Sequence, residues 1–237
     1  MPIDSVVAPV AVPDPRELHV SRRGLIPYAP AWDLQKRLAA ALVAGTGGDT
    51  LLLLEHPPVY TLGRNSLAAH ILAAPEEIAR RGATVERNDR GGEVTFHGPG
   101  QLVAYPVIKL GPEERSISRL VDNLEQAIID TLDDYDLLGD RLSDQRGVWT
   151  RGRKIASVGL SVKRWVVTHG MALTVAPDLS YFALINPCGH SETVMTSMKE
   201  ELGHTPDFTG VGDRFARHFA RHFNRRLAIS DQPSVDG

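Results

Sequence analysis

Apolar and polar residues alternate along this chain in blocks that predict most of its elements. Residues 31–43 carry Trp32, Leu34, Leu38, Ala41 and Leu42 at helical spacing and meet Gly45, which predicts a helix and its end. Residues 51–55 are four leucines and a glutamate before His56-Pro57-Pro58, a buried strand running into a turn, and a second strand is expected from Val59. Residues 75–81 fit a short helix with proline in its first turn and Gly82 at its end. Strand-like runs follow at 83–87, 93–97 and 102–108. Ser118 is expected to open a long helix with Leu120, Val121, Leu124, Ala127, Ile128 and Leu132 on one face and acids opposite. Residues 147–150, 154–162 and 166–175 return to β-character, and 191–202 and 212–227 predict closing helices. Strands interleave with helices without a regular βαβ beat, so the fold class is α+β.

Four prolines precede Arg16, and the chain closes on Ser-Asp-Gln-Pro-Ser-Val-Asp-Gly. Residues 1–17 and 230–237 are therefore expected to be flexible tails around one domain at 18–229. The first residues lack the basic start and unbroken apolar core of a signal peptide, and no apolar run approaches the roughly 20 residues of a membrane span. A cytoplasmic location is expected. The chain has 237 residues, 42% hydrophobic and 23% charged, which excludes wholesale disorder. Lys and Arg number 26 against 29 Asp and Glu, a net charge of −3 that argues against a nucleic-acid coat. One cysteine excludes an intramolecular disulfide and a cysteine-rich metal site.

Candidate chemistry concentrates in residues 90–101, where twelve positions hold four glycines, a proline, a histidine and an arginine. Glycine pairs flank Val94, Thr95, Phe96 and His97, so a backbone surface for a ligand is expected on each side. The segment is neither GxGxxG nor a GK[ST] phosphate loop. Lys154 starts a strand, with Ser157 and Gly159 expected to alternate with it along one face. The His-Gly pair at 169–170 interrupts another strand and suggests close approach by a ligand. Cys188 lies on an Asn-Pro-Cys-Gly turn before the helix that Ser191 would cap. A helix N-terminus favours a thiolate. At the ordinary pKa near 8.5 about 3% of a thiol is ionised at pH 7, and lowering it by two units makes that roughly three-quarters. His190 and His97 are both candidate partners.

Four ordered motifs carry a family resemblance. They are Arg-Gly-Gly with Thr-Phe-His-Gly-Pro-Gly-Gln (90–101), Gly-Val-Trp with Lys-Ile-Ala-Ser-Val-Gly (147–159), Thr-His-Gly-Met-Ala (168–172) and Asp-Leu with Phe-Ala-Leu-Ile-Asn-Pro-Cys-Gly (178–189). From about Leu18 to about Leu202 the chain resembles the lipoyl/octanoyl transferases of the biotin/lipoate ligase superfamily. The resemblance implies a mixed sheet flanked by helices. It implies transfer of octanoyl from acyl carrier protein to a lysine on lipoyl domains of 2-oxoacid dehydrogenase complexes and of the glycine cleavage H protein. By motif, Cys188 would be the acyl-thioester nucleophile and Lys154 its partner. The acyl pocket would be lined by Arg90, Gly91, Gly92, Glu93, Val94, Thr95, Phe96 and His97, by Ser157, Val158 and Gly159, and by Gly170, Met171 and Ala172. A monomer is implied, with no cofactor and no metal. Phe96 and Thr174 depart from the tyrosine and asparagine usual in the family, which bears on chain length and fine geometry.

Thioester exchange through a thiolate needs no ATP, and amide formation then runs downhill. As a cation Lys154 would favour the thiolate, and as an amine it would accept the incoming lysine's proton. Backbone N–H groups near Gly159 are candidates for the oxyanion site. An ATP-dependent lipoate or biotin ligase would need an adenylate site and no nucleophilic cysteine. A silent binding module would need neither Cys188 nor Lys154. His218 and His222, four apart with no carboxylate nearby in sequence, are expected at the surface. Arg214, Arg217, Arg221, Arg225 and Arg226 are expected to point outward from the last helix, opposite Phe215, Phe219, Phe223 and Leu227, and to attract an acidic carrier protein.

Overall fold

The computed structural model describes residues 16–143, 145–186 and 193–228. Both expected tails fall outside these residues but for Arg16 and Glu17. Glu17 is not tail: it opens β1 and pairs with Arg226.

Seven strands form the main sheet. They are β1 (Glu17–Leu25), β2 (Asp49–Glu55), β6 (Gln101–Val107), β7 (Val148–Thr150), β8 (Arg153–Lys163), β9 (Val166–Thr174) and β10 (Arg226–Leu227), in the order β10-β1-β2-β6-β9-β8-β7. β1 runs parallel to β2 and β10 and the other pairs are antiparallel, so the sheet is mixed. A smaller sheet holds β3 (Val59–Leu62), β4 (Thr84–Arg87) and β5 (Val94–His97), in the order β4-β3-β5. The helices are α1 (Tyr28–Ala44), α2 (Pro75–Arg80), α3 (Ile117–Asp133), α4 (Met198–Leu202) and α5 (Phe208–His222).

The four leucines of β2 are apolar throughout because both faces of the main sheet are covered. Leu51 and Leu53 join the core beneath α3 and α5, while Leu52 and Leu54 pack towards α1 with Ala31, Val103 and Tyr105. Gly45 ends α1 in the left-handed conformation, as its position predicts.

Three expected boundaries move for reasons of capping and pairing. α3 starts at Ile117 because Ser116, not Ser118, accepts the Arg119 N–H. The closing helix expected at 191–202 shrinks to α4: Met195 forms a parallel bridge to Lys154, which holds residues before Ser197 extended, and Ser197 caps the helix. The last helix starts at Phe208 on an Asp207 cap and stops at His222, and Arg226–Leu227 cross to the sheet. No described helix is long and apolar enough to cross a membrane.

Candidate active site

A cavity of about 250 Å³ opens on the α1 side of the main sheet, where the smaller sheet and the 90–97 segment meet β8 and β9. Lys154 marks one end. It is 2% exposed, its Nζ lies 5.0 Å from the centroid of the Trp149 ring, and its side chain borders the cavity. Strict alternation from Lys154 reaches residues 156 and 158, so it does not put Ser157 and Gly159 on the lysine's face as expected. A β-bulge corrects the parity: Val148 faces Ala156 while Trp149 faces Lys154, leaving Ile155 as one extra residue in β8. Ile155 and Ala156 both enter the core, and Lys154 and Ser157 both border the cavity.

The bulge is fixed from several directions. The Lys154 N–H donates to the Val194 carbonyl at 2.8 Å, and the Thr196 N–H donates to the Lys154 carbonyl at 2.9 Å. The Thr174 hydroxyl lies 2.6 Å from the Ile155 carbonyl and 2.5 Å from the Thr196 carbonyl, and its single proton is donated to one or the other. A threonine at 174 therefore has a defined place beside the lysine. Gly147 is required here: its φ is +127°, and a Cβ would lie 2.4 Å from the Ala156 carbonyl oxygen and 2.9 Å from Lys154 Cε. Its N–H donates to the buried carboxylate of Glu125 at 2.8 Å, which Arg141 also meets.

Of the pocket residues expected from sequence, Arg90, Gly92, Glu93, Val94, Thr95, His97, Ser157, Val158, Gly159, Gly170, Met171 and Ala172 border this cavity. Phe96 does not. Alternation turns it into the core of the smaller sheet, 1% exposed and stacked on Tyr181 at 4.6 Å, so a hydroxyl at 96 would face that core and not the cavity. Gly91 sits behind the wall, with its N–H on the Leu160 carbonyl. The second glycine pair does not border this cavity: Gly100 bonds Glu55 through its N–H and Val175 and Ala176 through its carbonyl.

Gly170 is demanded by the fold itself, since a Cβ there would lie 2.0 Å from the Ala104 carbonyl of β6. Gly159 lies four pleat steps from Lys154 once the bulge is discounted, about 13 Å. That distance separates its N–H from the Lys154 main chain. Cys188, His190 and Ser191 lie outside the described residues. The helix that was to support the cysteine begins only at Met198.

Tyr28, Asn65, Tyr105, Gln145, Arg146 and His169 also border the cavity, and sequence reasoning did not place them there. His169 had a signal, a charged-type side chain inside an apolar strand run. The cavity's far end is a buried polar layer. His56 Nδ1–H donates to the Ile26 carbonyl at 2.7 Å, so its Nε2 accepts from the Tyr105 hydroxyl at 2.8 Å. Burial holds His56 down at about 4 and His97 well below the ordinary histidine range. His169 is also lowered, because burial outweighs the Asp89 carboxylate 2.9 Å from its Nε2. Burial raises the Tyr28 and Tyr105 hydroxyls, so both stay protonated.

The last helix differs from expectation. His218 meets Asp134 at 2.9 Å and His222 meets Asp130 at 2.5 Å, both across from α3. Arg214 and Arg221 pair with the same two aspartates. Arg225 is not outward but buried, between Asp49 at 2.7 Å and Glu114 at 2.5 Å. The basic stripe is thus largely neutralised. Among the described residues no group of three or more His, Cys, Asp or Glu side chains is placed to hold a metal ion.

Residues 27–220 match the model of the lipoyl protein ligase A/B catalytic domain. The octanoyltransferase of Chloroflexus aggregans is 47% identical over 214 residues, 89% of this chain and 97% of that protein. That of Solibacter usitatus is 49% identical over 201 residues, 85% of this chain and 90% of that protein. The chain belongs to the octanoyltransferase family. Its reaction class is therefore octanoyl transfer. Solved structures with the same fold include a bipartite lipoate protein ligase from Thermoplasma acidophilum, TM-score 0.68 at 14% identity over 91% of this chain and 87% of that one. A lipoate-protein ligase A bound with ATP has TM-score 0.67 at 15% identity, over 91% of this chain and 89% of that one. At such identities these two establish the fold alone, which is the mixed-sheet ligase architecture expected from the motifs.

Proposed function

We propose that this chain takes octanoyl from acyl carrier protein as a thioester on Cys188 and passes it to the ε-amine of a lysine on lipoyl domains. The observation that carries the reading is Lys154, buried at the end of a cavity of acyl dimensions. Its main chain is clipped to Val194 and Thr196, which directly follow the segment that holds Cys188.

The protons balance over the cycle. Lys154 as an ammonium favours the Cys188 thiolate, which attacks the donor carbonyl. As the tetrahedral intermediate collapses, the carrier's thiolate leaves and takes a proton from Lys154. The resulting amine accepts a proton from the incoming lysine as it attacks the acyl-enzyme. Cys188 leaves as a thiolate beside an ammonium once more. The small side chains of Ser157, Gly159 and Ala172 leave room for the alkyl chain between β8, β9 and the 90–95 segment.

Incubation with octanoyl-acyl carrier protein, followed by digestion and mass spectrometry, tests the covalent step. A hydroxylamine-sensitive octanoyl adduct on the Cys188 peptide is expected, and its absence during active turnover overturns the reading.

A further inference from the structure

The far end of the acyl cavity is closed by His169, with Asp89, Gln35 and Trp32 behind it. Behind it, between α1 and the β8–β9 turn, lies a second groove of about 710 Å³. His169 borders the first cavity, and its partners border the second. Asp89 Oδ1 lies 2.9 Å from His169 Nε2, the Gln35 side-chain oxygen accepts the His169 N–H at 2.7 Å, and the Trp32 ring stands 6.1 Å away. Lys163 anchors Asp89 from the groove side at 2.5 Å. The histidine is 1% exposed and holds φ +57° within a strand, a conformation non-glycine residues seldom adopt. Surrounding bonds overdetermine its position.

The strand between Lys154 and His169 is long enough to lie alongside the substrate. The register pairs Leu160 with His169, five pleat steps from Lys154 with the bulge discounted, or about 17 Å of strand. An extended eight-carbon acyl group needs about 9 Å at roughly 1.25 Å of advance per bond, which this length of strand accommodates.

We propose that His169, clamped by Asp89 against Trp32, is the stop that sets acyl length, with the terminal methyl resting against its imidazole. Removing the ring deepens the cavity to the Asp89 and Trp32 layer and admits longer chains. This rests on the reading that the thioester end lies at Lys154.

The test compares octanoyl- and dodecanoyl-acyl carrier protein as donors to a purified lipoyl domain. His169→Gly is the primary variant, because glycine adopts the positive φ without strain. The kcat/KM ratio of dodecanoyl to octanoyl is expected to rise by about tenfold or more, within the range that a few methylenes in an apolar pocket can supply. Trp32→Ala keeps the histidine but removes its backing, and is expected to shift the ratio the same way by a smaller factor, roughly threefold. It serves if His169→Gly fails to fold. An unmoved ratio in a folded variant, including equal loss on both donors, overturns the stop while leaving octanoyl transfer intact. A wild-type protein that transfers neither acyl group would overturn the functional reading itself.

Discussion

The two faces of the main sheet are built on opposite terms. Under α3 and α5 the core is apolar and closely packed, with Phe215, Phe219 and Phe223 against Leu124, Ile128 and Leu102. Most of its charges sit at the rim and are paired, Arg214 with Asp134 and Arg221 with Asp130, while the buried Glu125 carboxylate accepts the Gly147 N–H. On the α1 side, His56, His97, His169, Tyr105 and Arg90 are buried around a cavity. One face supplies stability, and the other holds neutral histidines and tyrosines, with the Arg90 guanidinium, in fixed places around a cavity. Stability and activity should therefore respond separately to changes on the two sides.

The largest expected effects lie at the lysine end of the cavity. Cys188→Ser should lower turnover by roughly three orders of magnitude or more with unchanged thermal unfolding. Residual transfer above a few per cent in the purified variant would end the covalent route. Lys154→Arg should still form the acyl-enzyme yet pass it on about 10²–10⁴ times more slowly, since arginine does not release its proton near neutral pH. Rapid quench of acyl-enzyme formation and decay separates these steps.

On the opposite face, Phe219→Ala should cost about 3–5 kcal/mol in urea unfolding, because a fully buried ring stacked on Phe223 at 4.1 Å is lost. The same variant should keep the wild-type acyl-length ratio, measured below its unfolding transition. A changed ratio would show that the two faces are coupled.

The two faces should also fail in different pH windows. His56 is held at about 4 against an unfolded value near 6.5, so the unfolded chain binds the proton first as pH falls. Its neutral state contributes stability fully above pH 6.5, and roughly 3 kcal/mol is lost on acidification towards pH 4. His97 and His169 are lowered too and act with the same sign. Across the sheet, Asp134 is lowered first by its bond from His218, and Asp130 is lowered although burial opposes it, through His222, Gln126 and Arg221. Those contributions persist until pH drops below the ordinary aspartate value near 3.9. Urea midpoints from pH 7 to 4 should fall for the wild type and fall less for His56→Gln; equal slopes would remove the assignment.

Gly147→Ala should cost about 1–3 kcal/mol from backbone strain, and it should also lower transfer because its Cβ meets the Lys154 stem. The smallest effect belongs to the outer helix. With Arg221 committed to Asp130, Arg217→Glu and Arg221→Glu together should cost about 1 kcal/mol or less. KM for carrier-bound octanoyl should rise no more than KM for a small octanoyl thioester. A selective rise for the carrier would restore α5 as its docking face.

Sequence by itself determined the elements and most of the cavity's lining. The apolar run of β2, the amphipathic period of α3 and Gly45 after α1 are local signals, and backbone geometry translates each directly into structure. The motif residues on β5, β8 and β9 were legible because glycine, histidine and lysine are anomalous inside strand-like runs. The tertiary structure decided what depends on residues far apart in sequence. The bulge that turns Lys154 towards Ser157 is fixed by Val194 and Thr196, forty residues on. Gly170 answers to the Ala104 carbonyl, Phe96 to Tyr181, and the arginines of α5 to aspartates on α3. Periodicity carries the conformation of a segment and its apolar side. Register, close backbone approach and charge pairing arise only when two segments meet, and there Lys154, His169 and the paired arginines of α5 acquired their places.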